Sequence, residues 1–213
     1  MPLYFLKIGL GSYMLFTVGH STHNIETFLS LLTINGVTAI ADVRSSPYSR
    51  FSPQFTREAL KQSLRLANVA YTFLGKELGA RSDNPACYRG GKVQYDLLAQ
   101  QPAFADGIAR VNEGMARYTI ALMCAEKDPI ECHRALLVAR QFHQSGVPVA
   151  HIHADGSLER HDMFESRLLA ACKLPEGDMF KARADFLLEA YAKQGERVAY
   201  QDEEMRSAEG AAS

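Results

Sequence analysis

The chemically most versatile stretch of the sequence is the run of eleven residues from Cys124 to Arg134. It contains two thiols, an imidazole, a guanidinium and three carboxylates. Thiols and imidazoles act as nucleophiles or metal ligands, carboxylates move protons, and a guanidinium binds anions through paired hydrogen bonds. The spacing of these groups predicts a reactive or ligand-binding site. Its principal residues are Cys124, Glu126, Cys132, His133 and Arg134.

A buried strand and the start of a helix are predicted to position this stretch. The apolar run Thr119–Met123 predicts a parallel strand that is buried on both faces. Asp128 is a good N-cap, Pro129 suits the first helical position, and Glu131 follows three residues after the cap. Helix N-termini attract anions and lower thiol pKa values, which favours a reactive site. The first turns of the helix are therefore expected to hold Cys132, His133 and Arg134.

The rest of the chain alternates between short apolar runs and helical periodicity, which predicts the α/β class. We expect a three-layer sandwich around a mainly parallel, Rossmann-like sheet of about five strands with right-handed crossovers. The other strands are predicted at Leu15–Val18, Val37–Val43, Val69–Leu74 and Val147–Ile152.

The sequence predicts a single domain over residues 14–200, with a helical C-terminal appendage at residues 154–200. Residues 1–13 are expected to be an N-terminal extension, and Met1 and Met14 both remain possible starts. Residues 201–213 are small and polar, which predicts a disordered tail. The helices of the appendage are predicted at Met163–Ala171 and Met179–Ala192.

Polar residues follow four of the predicted strands. Ligands of open parallel sheets bind at the carboxyl ends of the strands, so we expect these residues to share a pocket. Asp42 and Arg44 are expected to point in different directions, one into a buried ion pair and the other toward solvent or ligand. In chain order the polar residues are His20, Ser21, Asp42, Arg44, Glu77, Cys124 and Glu126.

Composition and charge argue against several classes of protein. The 213 residues include 23 basic and 24 acidic side chains, so the net charge of -1 provides no global field for nucleic acid or membranes. The N-terminal segment lacks the basic region of a secretory signal, and no long hydrophobic segment follows it. These features predict no membrane partner. The four cysteines have no paired spacing, so we expect reduced thiols in the cytoplasm.

Five short motifs occur in an order that resembles a bacterial and archaeal family, the domain of unknown function 488. The resemblance covers about Leu15 to Tyr200 and includes His151, His161, Glu165, Arg167 and Tyr191 in the C-terminal part. It implies an uncharacterised conserved domain, and some relatives have descriptions that connect them with DNA repair. The motifs are Gly19-His20-Ser21, Asp42-Val43-Arg44, Glu77-Leu78-Gly79, Cys124-Ala125-Glu126 and Cys132-His133-Arg134.

The favoured hypothesis is an enzyme with a reactive thiol. Cys124 would be the nucleophile, with His20, Asp42 and Glu126 as the other catalytic residues. Ten positions separate Cys124 from Arg134, so the compact Cys-x5-Arg cradle of cysteine phosphatases is absent. The substrate would be anionic, either phosphorylated or derived from nucleic acid. Its binding residues would be Ser21, Arg44, Glu77, Cys132, His133 and Arg134.

Two alternative functions remain open, and the sequence assigns no cofactor and no oligomeric state. A metal site would use Cys124, Cys132 and His133, although the Cys-x2-Cys pairs of structural zinc modules are absent. A noncatalytic module would bind a nucleotide or nucleic acid through a basic and aromatic rim, part of it on a polar loop over residues 80–93. The rim residues are Tyr48, Arg50, Phe51, Phe55, Arg57, Arg81, Tyr88 and Arg89.

Each of these residues also has a purely structural interpretation. Cys124 at the end of a buried strand and Cys132 on an apolar helical stripe are both compatible with core packing. Arg134 is compatible with a surface ion pair to Glu131 that contributes little to stability. Only the spatial arrangement of the side chains separates these interpretations from the functional ones.

Overall fold

The computed structural model describes residues 14–48 and 50–211. A six-stranded sheet forms its centre, and five of the strands are parallel to one another: β1 (Leu15–Gly19), β2 (Ala39–Asp42), β3 (Ala70–Phe73), β6 (Ile120–Cys124) and β7 (Val149–Ile152). A sixth strand, β8 (Leu158–Arg160), pairs antiparallel with β7, and a separate hairpin joins β4 (Tyr88–Arg89) to β5 (Lys92–Val93). The order β3-β2-β6-β1-β7-β8 confirms the predicted α/β class with a mainly parallel sheet.

The helices are α1 (Ile25–Ile34), α2 (Arg57–Leu66), α3 (Tyr95–Ala99), α4 (Pro102–Met115), α5 (Arg140–Gln144), α6 (His161–Ala171), α7 (Arg183–Val198) and α8 (Glu203–Ala211). A π-helix, Arg134–Ala139, runs directly into α5. Helix α1 begins where Asn24 accepts a hydrogen bond from the Thr27 N–H at 2.8 Å, because this cap satisfies an otherwise unpaired donor of the first turn.

The sheet has a hydrophobic core on each face because side chains of a strand alternate between the two faces. Leu15 and Leu122 belong to the core that includes residues of α4 and the π-helix. Phe16 and Ala121 belong to the core that includes residues of α1 and α2. The β1 and β6 strands are buried along their whole length, so the middle of the sheet is a rigid support for the loops that follow it.

A chain of buried hydrogen bonds joins helices α6 and α7 to the sheet. Thr17 Oγ1 lies 2.8 Å from His151 Nδ1, and His151 Nε2 lies 3.0 Å from His161 Nδ1. His161 Nε2 lies 2.9 Å from the Tyr191 hydroxyl, which donates to Glu165 Oε1 at 3.2 Å. Because Tyr191 donates its proton to the carboxylate, it accepts from His161, and every donor in the chain therefore points toward Glu165. We call these five residues the relay.

The structure differs from the sequence-based expectations outside the central sheet. The segment 80–93, which we expected to be a loop, contains the β4–β5 hairpin. The strand β8 had no separate prediction, and α8 lies in a segment for which composition predicts disorder. The predicted strand Val37–Val43 is shorter and extends over Ala39–Asp42. The predicted extension 1–13 lies outside the described residues.

Candidate functional site

The helical structure between β6 and the π-helix is interrupted at Cys132, and this break brings the two thiols together. Asp128 accepts a hydrogen bond from the Ile130 N–H at 3.0 Å, but it caps only the single 3-10 turn Pro129–Glu131. Cys132 then has extended backbone angles of φ -137 and ψ 135. The expectation that Cys132 lies within the first turns of a continuous helix is therefore wrong. Local unwinding of this kind is frequent at functional sites.

Four side chains converge at this break: Cys124, Glu126, Cys132 and His133. One potential ligand atom from each of them lies within 4.8 Å of the other three. Cys124 Sγ is 3.7 Å from His133 Nδ1, and Cys132 Sγ is 4.0 Å from the same nitrogen. The Cys132 thiol donates to Glu126 Oε2 at 3.0 Å. We call this group the Cys/His cluster.

The orientation of the His133 ring is determined by its second nitrogen. His133 Nε2 lies 3.0 Å from the Val43 carbonyl oxygen, which only accepts hydrogen bonds, so Nε2 carries a proton. Nδ1 therefore faces the thiols, where it accepts from a thiol when the ring is neutral and donates to a thiolate when the ring is protonated. A carbonyl behind an imidazole is also the usual support of a metal-binding histidine. The backbone N–H of Arg134 donates to Cys132 Sγ at 3.5 Å, which favours negative charge on that sulfur.

The pKa values of the two thiols shift in opposite directions. Burial, and then the neighbouring Cys132 and Glu126, raise the pKa of Cys124 well above its usual range. Burial also disfavours the Cys132 thiolate, but hydrogen bonds from Cys124 and His133 and the charge of Arg134 outweigh it and lower the Cys132 pKa. Partial desolvation beside the thiols, and then the charge of Cys132, raise the pKa of Glu126, although part of its side chain reaches solvent. Of the two thiols, Cys132 is therefore the one that loses its proton more readily, while Cys124 is held as a thiol.

A cavity of about 280 Å³ lies over the Cys/His cluster at the carboxyl ends of the strands. Cys124, Glu126 and His133 form part of its wall, whereas Cys132 lies behind them. The thiol that faces the cavity is thus Cys124, whose raised pKa makes it a poor nucleophile in the metal-free protein. The other wall residues are Arg44, Ser45, Ser46, Ala80, Arg81, Tyr95, Ala125, Glu131, Val198 and Tyr200.

Arg44 is buried and most of its donors are already used. Its Nε and Nη2 donate to the two carboxylate oxygens of Asp42 at 2.9 and 2.6 Å, and Nη1 donates to the Phe55 carbonyl at 2.8 Å. The two side chains bind each other although Arg44 lies beyond the end of β2, so the expectation that Asp42 and Arg44 diverge is wrong. Asp42 also accepts a hydrogen bond from the Tyr71 hydroxyl at 2.8 Å and is fully buried. It does not line the cavity.

His20 supports Arg44 from the other side. Its Nε2 lies 3.2 Å from Arg44 Nη1, and because a guanidinium only donates, Nε2 accepts this bond. His20 Nδ1 then donates to the Ser21 carbonyl at 2.8 Å, and the ring stacks on Phe55 with centroids 4.3 Å apart. Burial and the charge of Arg44 lower the His20 pKa to about 4, so the ring is neutral at pH 7. His20 lies behind the cavity wall.

The loop that follows β6 is held by backbone contacts. The Ser21 N–H donates to the Ala125 carbonyl at 2.9 Å. Arg134 is fully buried and donates to the carbonyls of Glu126 and Lys127 at 2.7 and 3.2 Å. A Cβ on Gly19 would lie 1.9 Å from the Glu126 carbonyl oxygen, so only glycine allows this close approach. Arg134 is therefore neither a surface partner of Glu131 nor a residue of the cavity wall.

The chain matches the protein family described as "Domain of unknown function DUF488" over residues 24–141. This match covers more than half of the 213 residues. The chain belongs to the DUF488 family. No protein with a curated description and no solved structure matched it. The DUF488 description gives no activity and no connection to DNA repair.

The DUF488 match includes the whole Cys/His cluster and Arg44, but the cavity also uses residues from outside it. Val198 and Tyr200 of the cavity wall follow the matched segment, and His20, which supports Arg44 from behind the wall, precedes it. The C-terminal part therefore closes one side of the cavity. Within the described ranges, no helix is long and apolar enough to cross a lipid bilayer.

The predicted residue Glu77 lies apart from the Cys/His cluster. It forms an ion pair with Arg110 and belongs to the wall of a neighbouring cavity. The predicted rim also does not form one surface. Phe55 and Tyr88 are buried, and the Arg57 guanidinium lies over the Phe73 ring at 4.8 Å from its centroid.

Sequence reasoning does not assign several wall residues to the site, among them Ser45, Tyr95 and Tyr200. Ser45 and Tyr95 have no motif signal, and Tyr200 lies at the end of the segment that the family resemblance covers. Arg81 was expected on the rim, and its guanidinium instead stacks on the Tyr200 ring, 4.3 Å from the centroid. This contact joins two segments far apart in sequence, which no local pattern reveals.

Proposed function

We propose that the cavity is the active site of a metal-dependent enzyme acting on a small anionic substrate. The observation that carries this proposal is the convergence of four ligand atoms within 4.8 Å of one another. Tetrahedral zinc has ligands at about 2.0–2.3 Å, so its ligand atoms lie roughly 3.5–3.8 Å apart. The 3.7 and 4.0 Å distances from His133 Nδ1 to Cys124 Sγ and Cys132 Sγ are close to that spacing.

The donor set favours zinc or a similar borderline-soft ion. Two thiolates and an imidazole would hold it, and Val43 and the Arg134 N–H would orient His133 and Cys132 from behind. Three protein ligands leave one position free, as in catalytic rather than structural zinc sites. An ion there would act as a Lewis acid that polarises an oxygen of the substrate or of water.

The other residues of the site have separate roles in this proposal. Glu126 lies in the cavity wall beside the proposed ligands, where its carboxylate can accept or deliver a proton. Arg81 provides a cation in the same cavity wall for the anionic group of the substrate. His20, Asp42 and Arg44 act as positioning residues, because they contact one another and hold the strand ends that carry the cavity wall.

The metal-free thiol enzyme is the second candidate, because the Cys132 pKa is lowered. Two observations weigh against it: Cys132 does not line the cavity, and the pKa of Cys124 is raised. A coordinated thiol is deprotonated by the ion itself, so the raised Cys124 pKa is compatible with the metal proposal.

Metal binding is the first test. The protein is stripped with a chelator, titrated with Zn²⁺ and Co²⁺ by calorimetry, and the Co²⁺ form is examined for thiolate-to-metal charge-transfer absorption. We expect one ion per chain, and at least about a hundredfold weaker binding in Cys124→Ser, Cys132→Ser and His133→Asn. Cys172→Ser is the matched control, since Cys172 is a buried free cysteine outside the cluster. Equal affinity in the cluster variants and the control would exclude the proposed centre.

Activity is the second test. The metal-loaded protein is assayed for release of phosphate, alcohol or amine from phosphorylated sugars, nucleotides and amino acids, and Glu126→Gln is the activity variant. Turnover that needs the metal and falls at least about a hundredfold in Glu126→Gln would support the proposal. Iodoacetamide labelling of the stripped protein tests the thiol candidate. Rapid labelling of Cys124 at pH 7 with metal-independent turnover would favour a thiol enzyme instead.

A further inference from the structure

A second cavity of about 590 Å³ adjoins the cavity over the Cys/His cluster. The two cavities share Ser45, Ser46 and Arg81 as wall residues. The second cavity is formed mainly by the loop that follows β3, which also contributes Lys76 and Glu77. A molecule that reaches the cluster therefore has room to extend past Arg81 along this loop.

Three cations line the two cavities, and only two of them are available for a ligand. Arg44 is paired with Asp42. Arg81 and Lys76 form no ion pair within residues 14–48 and 50–211. The neighbouring acid Glu77 is paired with Arg110, which leaves Asp83 as the unpaired acid of the second cavity's described wall. The described wall of the second cavity therefore has two unpaired cations, Lys76 and Arg81, against one unpaired acid, Asp83, while Glu126 and Glu131 line the first cavity only.

Arg81 is held in place although its side chain is exposed. Its guanidinium stacks on the Tyr200 ring at 4.3 Å, and its backbone N–H donates to Ser45 Oγ at 3.0 Å. Stacking leaves the in-plane donors of a guanidinium free for an anion. Because the Arg81 side chain is ordered before a ligand binds, a contact with the ligand costs less conformational entropy.

The β3 loop is fixed against the end of β2 by two close glycine contacts. A Cβ on Gly75 would lie 2.0 Å from the Arg44 carbonyl oxygen, and a Cβ on Gly79 would lie 2.5 Å from Ser45 Oγ. Any other residue at these positions would move the loop away. Lys76 lies between the two glycines and Arg81 follows them by two residues, and both line the same cavity.

We infer that Lys76 and Arg81, together with the hydroxyls of Ser45 and Ser46, bind a phosphate group of the substrate in the second cavity. The reacting part of the same molecule would then lie in the first cavity, against the Cys/His cluster. The substrate class is thus a phosphorylated small molecule in which the phosphate serves for binding and is not transferred. This assignment of a substrate rests on the proposed function, whereas phosphate binding at Lys76 and Arg81 is measurable without turnover.

The test is binding of inorganic phosphate to the metal-free protein, measured by calorimetry and by ³¹P line broadening in the presence of a chelator. Arg81→Gln and Lys76→Gln should each weaken phosphate binding about tenfold, because each removes a charge-assisted contact. The matched controls are Arg65→Gln and Lys61→Gln on the exposed face of α2, which should bind phosphate as the unchanged protein does. Phosphate affinity that is the same in Arg81→Gln and Arg65→Gln would overturn the inference.

A second arm separates this inference from the proposed function. Cys124→Ser should keep the phosphate affinity of the unchanged protein, because Cys124 lies in the first cavity only. If Zn²⁺ does not bind but phosphate binding still depends on Arg81, the metal proposal fails and the phosphate site stands. If Zn²⁺ binds and phosphate binds only to the Zn²⁺ form, irrespective of Arg81, the phosphate lies at the metal and the inference fails.

Discussion

Acidification should destabilise the protein through the imidazole of His161 in the relay. His161 Nδ1 accepts from His151, and His161 Nε2 donates to Tyr191, so the neutral ring satisfies both nitrogens. An added proton on Nδ1 would oppose the donor of His151 at 3.0 Å. Burial, and then the charge of His143, lower the His161 pKa to about 3. Replacement by glutamine removes the titrating group while keeping one donor and one acceptor.

The size of the effect follows from the difference between the folded and unfolded pKa values of His161. The unfolded pKa is about 6.5, so the unfolded chain binds more protons than the folded chain between pH 6.5 and pH 3. The stability due to the neutral ring is thus fully present above pH 6.5 and is lost as pH falls toward 3. Integration from pH 7 to pH 4.5 gives a loss of about 2.5 kcal/mol for this one group.

The assay is urea denaturation at pH 7.5, 6.5, 5.5 and 4.5, with the free energy of unfolding compared between the unchanged protein and His161→Gln. We expect the stability advantage of the unchanged protein to shrink by about 2.5 kcal/mol between pH 7 and pH 4.5. Above pH 7 the free energies of unfolding of the two proteins should change in parallel, which is the internal control. An advantage that is the same at pH 7.5 and pH 4.5 would show that His161 is not held neutral, and the assignment of the relay would be wrong.

Three substitutions test other parts of the fold by the same denaturation measurement. Asp42→Asn leaves the Arg44 guanidinium buried without its counter-charge and should cost about 3–5 kcal/mol, and a loss below 1 kcal/mol would contradict the buried pair. Gly19→Ala places a methyl group 1.9 Å from the Glu126 carbonyl and should cost about 1–3 kcal/mol or more, with weaker Zn²⁺ binding as a second readout. Tyr191→Phe removes one link of the relay and should cost about 1–3 kcal/mol, whereas no loss would mean that water replaces the hydroxyl.

The central sheet could be predicted because its strands are buried on both faces. Such strands appear in the sequence as short unbroken apolar runs, and the predicted Thr119–Met123 differs from the observed Ile120–Cys124 by one residue at each end. The strand β8 lies at the edge of the sheet, is partly exposed and has three residues, so it has little apolar signal. Asp128 does cap a turn, as its sequence signal indicates. The same signal precedes short 3-10 turns as well as long helices, so it does not reveal that this turn ends at Glu131.

The convergence of Cys124, Glu126, Cys132 and His133 could be predicted in part, because the residues are close in sequence. The role of Arg134 could not be predicted, since the partners that use its donors are backbone carbonyls. Arg134 binds the carbonyls of Glu126 and Lys127, and a sequence does not show where a carbonyl points. From its residue type alone Arg134 is predicted to bind an anion, whereas in the structure it holds the loop that follows β6.

The arrangement of charge in the Cys/His cluster favours a bound cation over a free thiol. Cys132 Sγ lies 3.0 Å from Glu126 Oε2, and although Glu126 reaches solvent, a thiolate and a carboxylate this close are unfavourable together unless positive charge lies beside them. In the metal-free protein a proton on His133 provides this positive charge. Burial opposes protonation of His133, but Cys132 and Glu126 raise its pKa. An ion of charge two would replace the protons of His133 and the thiols together and would bind the same atoms from the same side. Zinc binding should accordingly release protons, and it should weaken as pH falls.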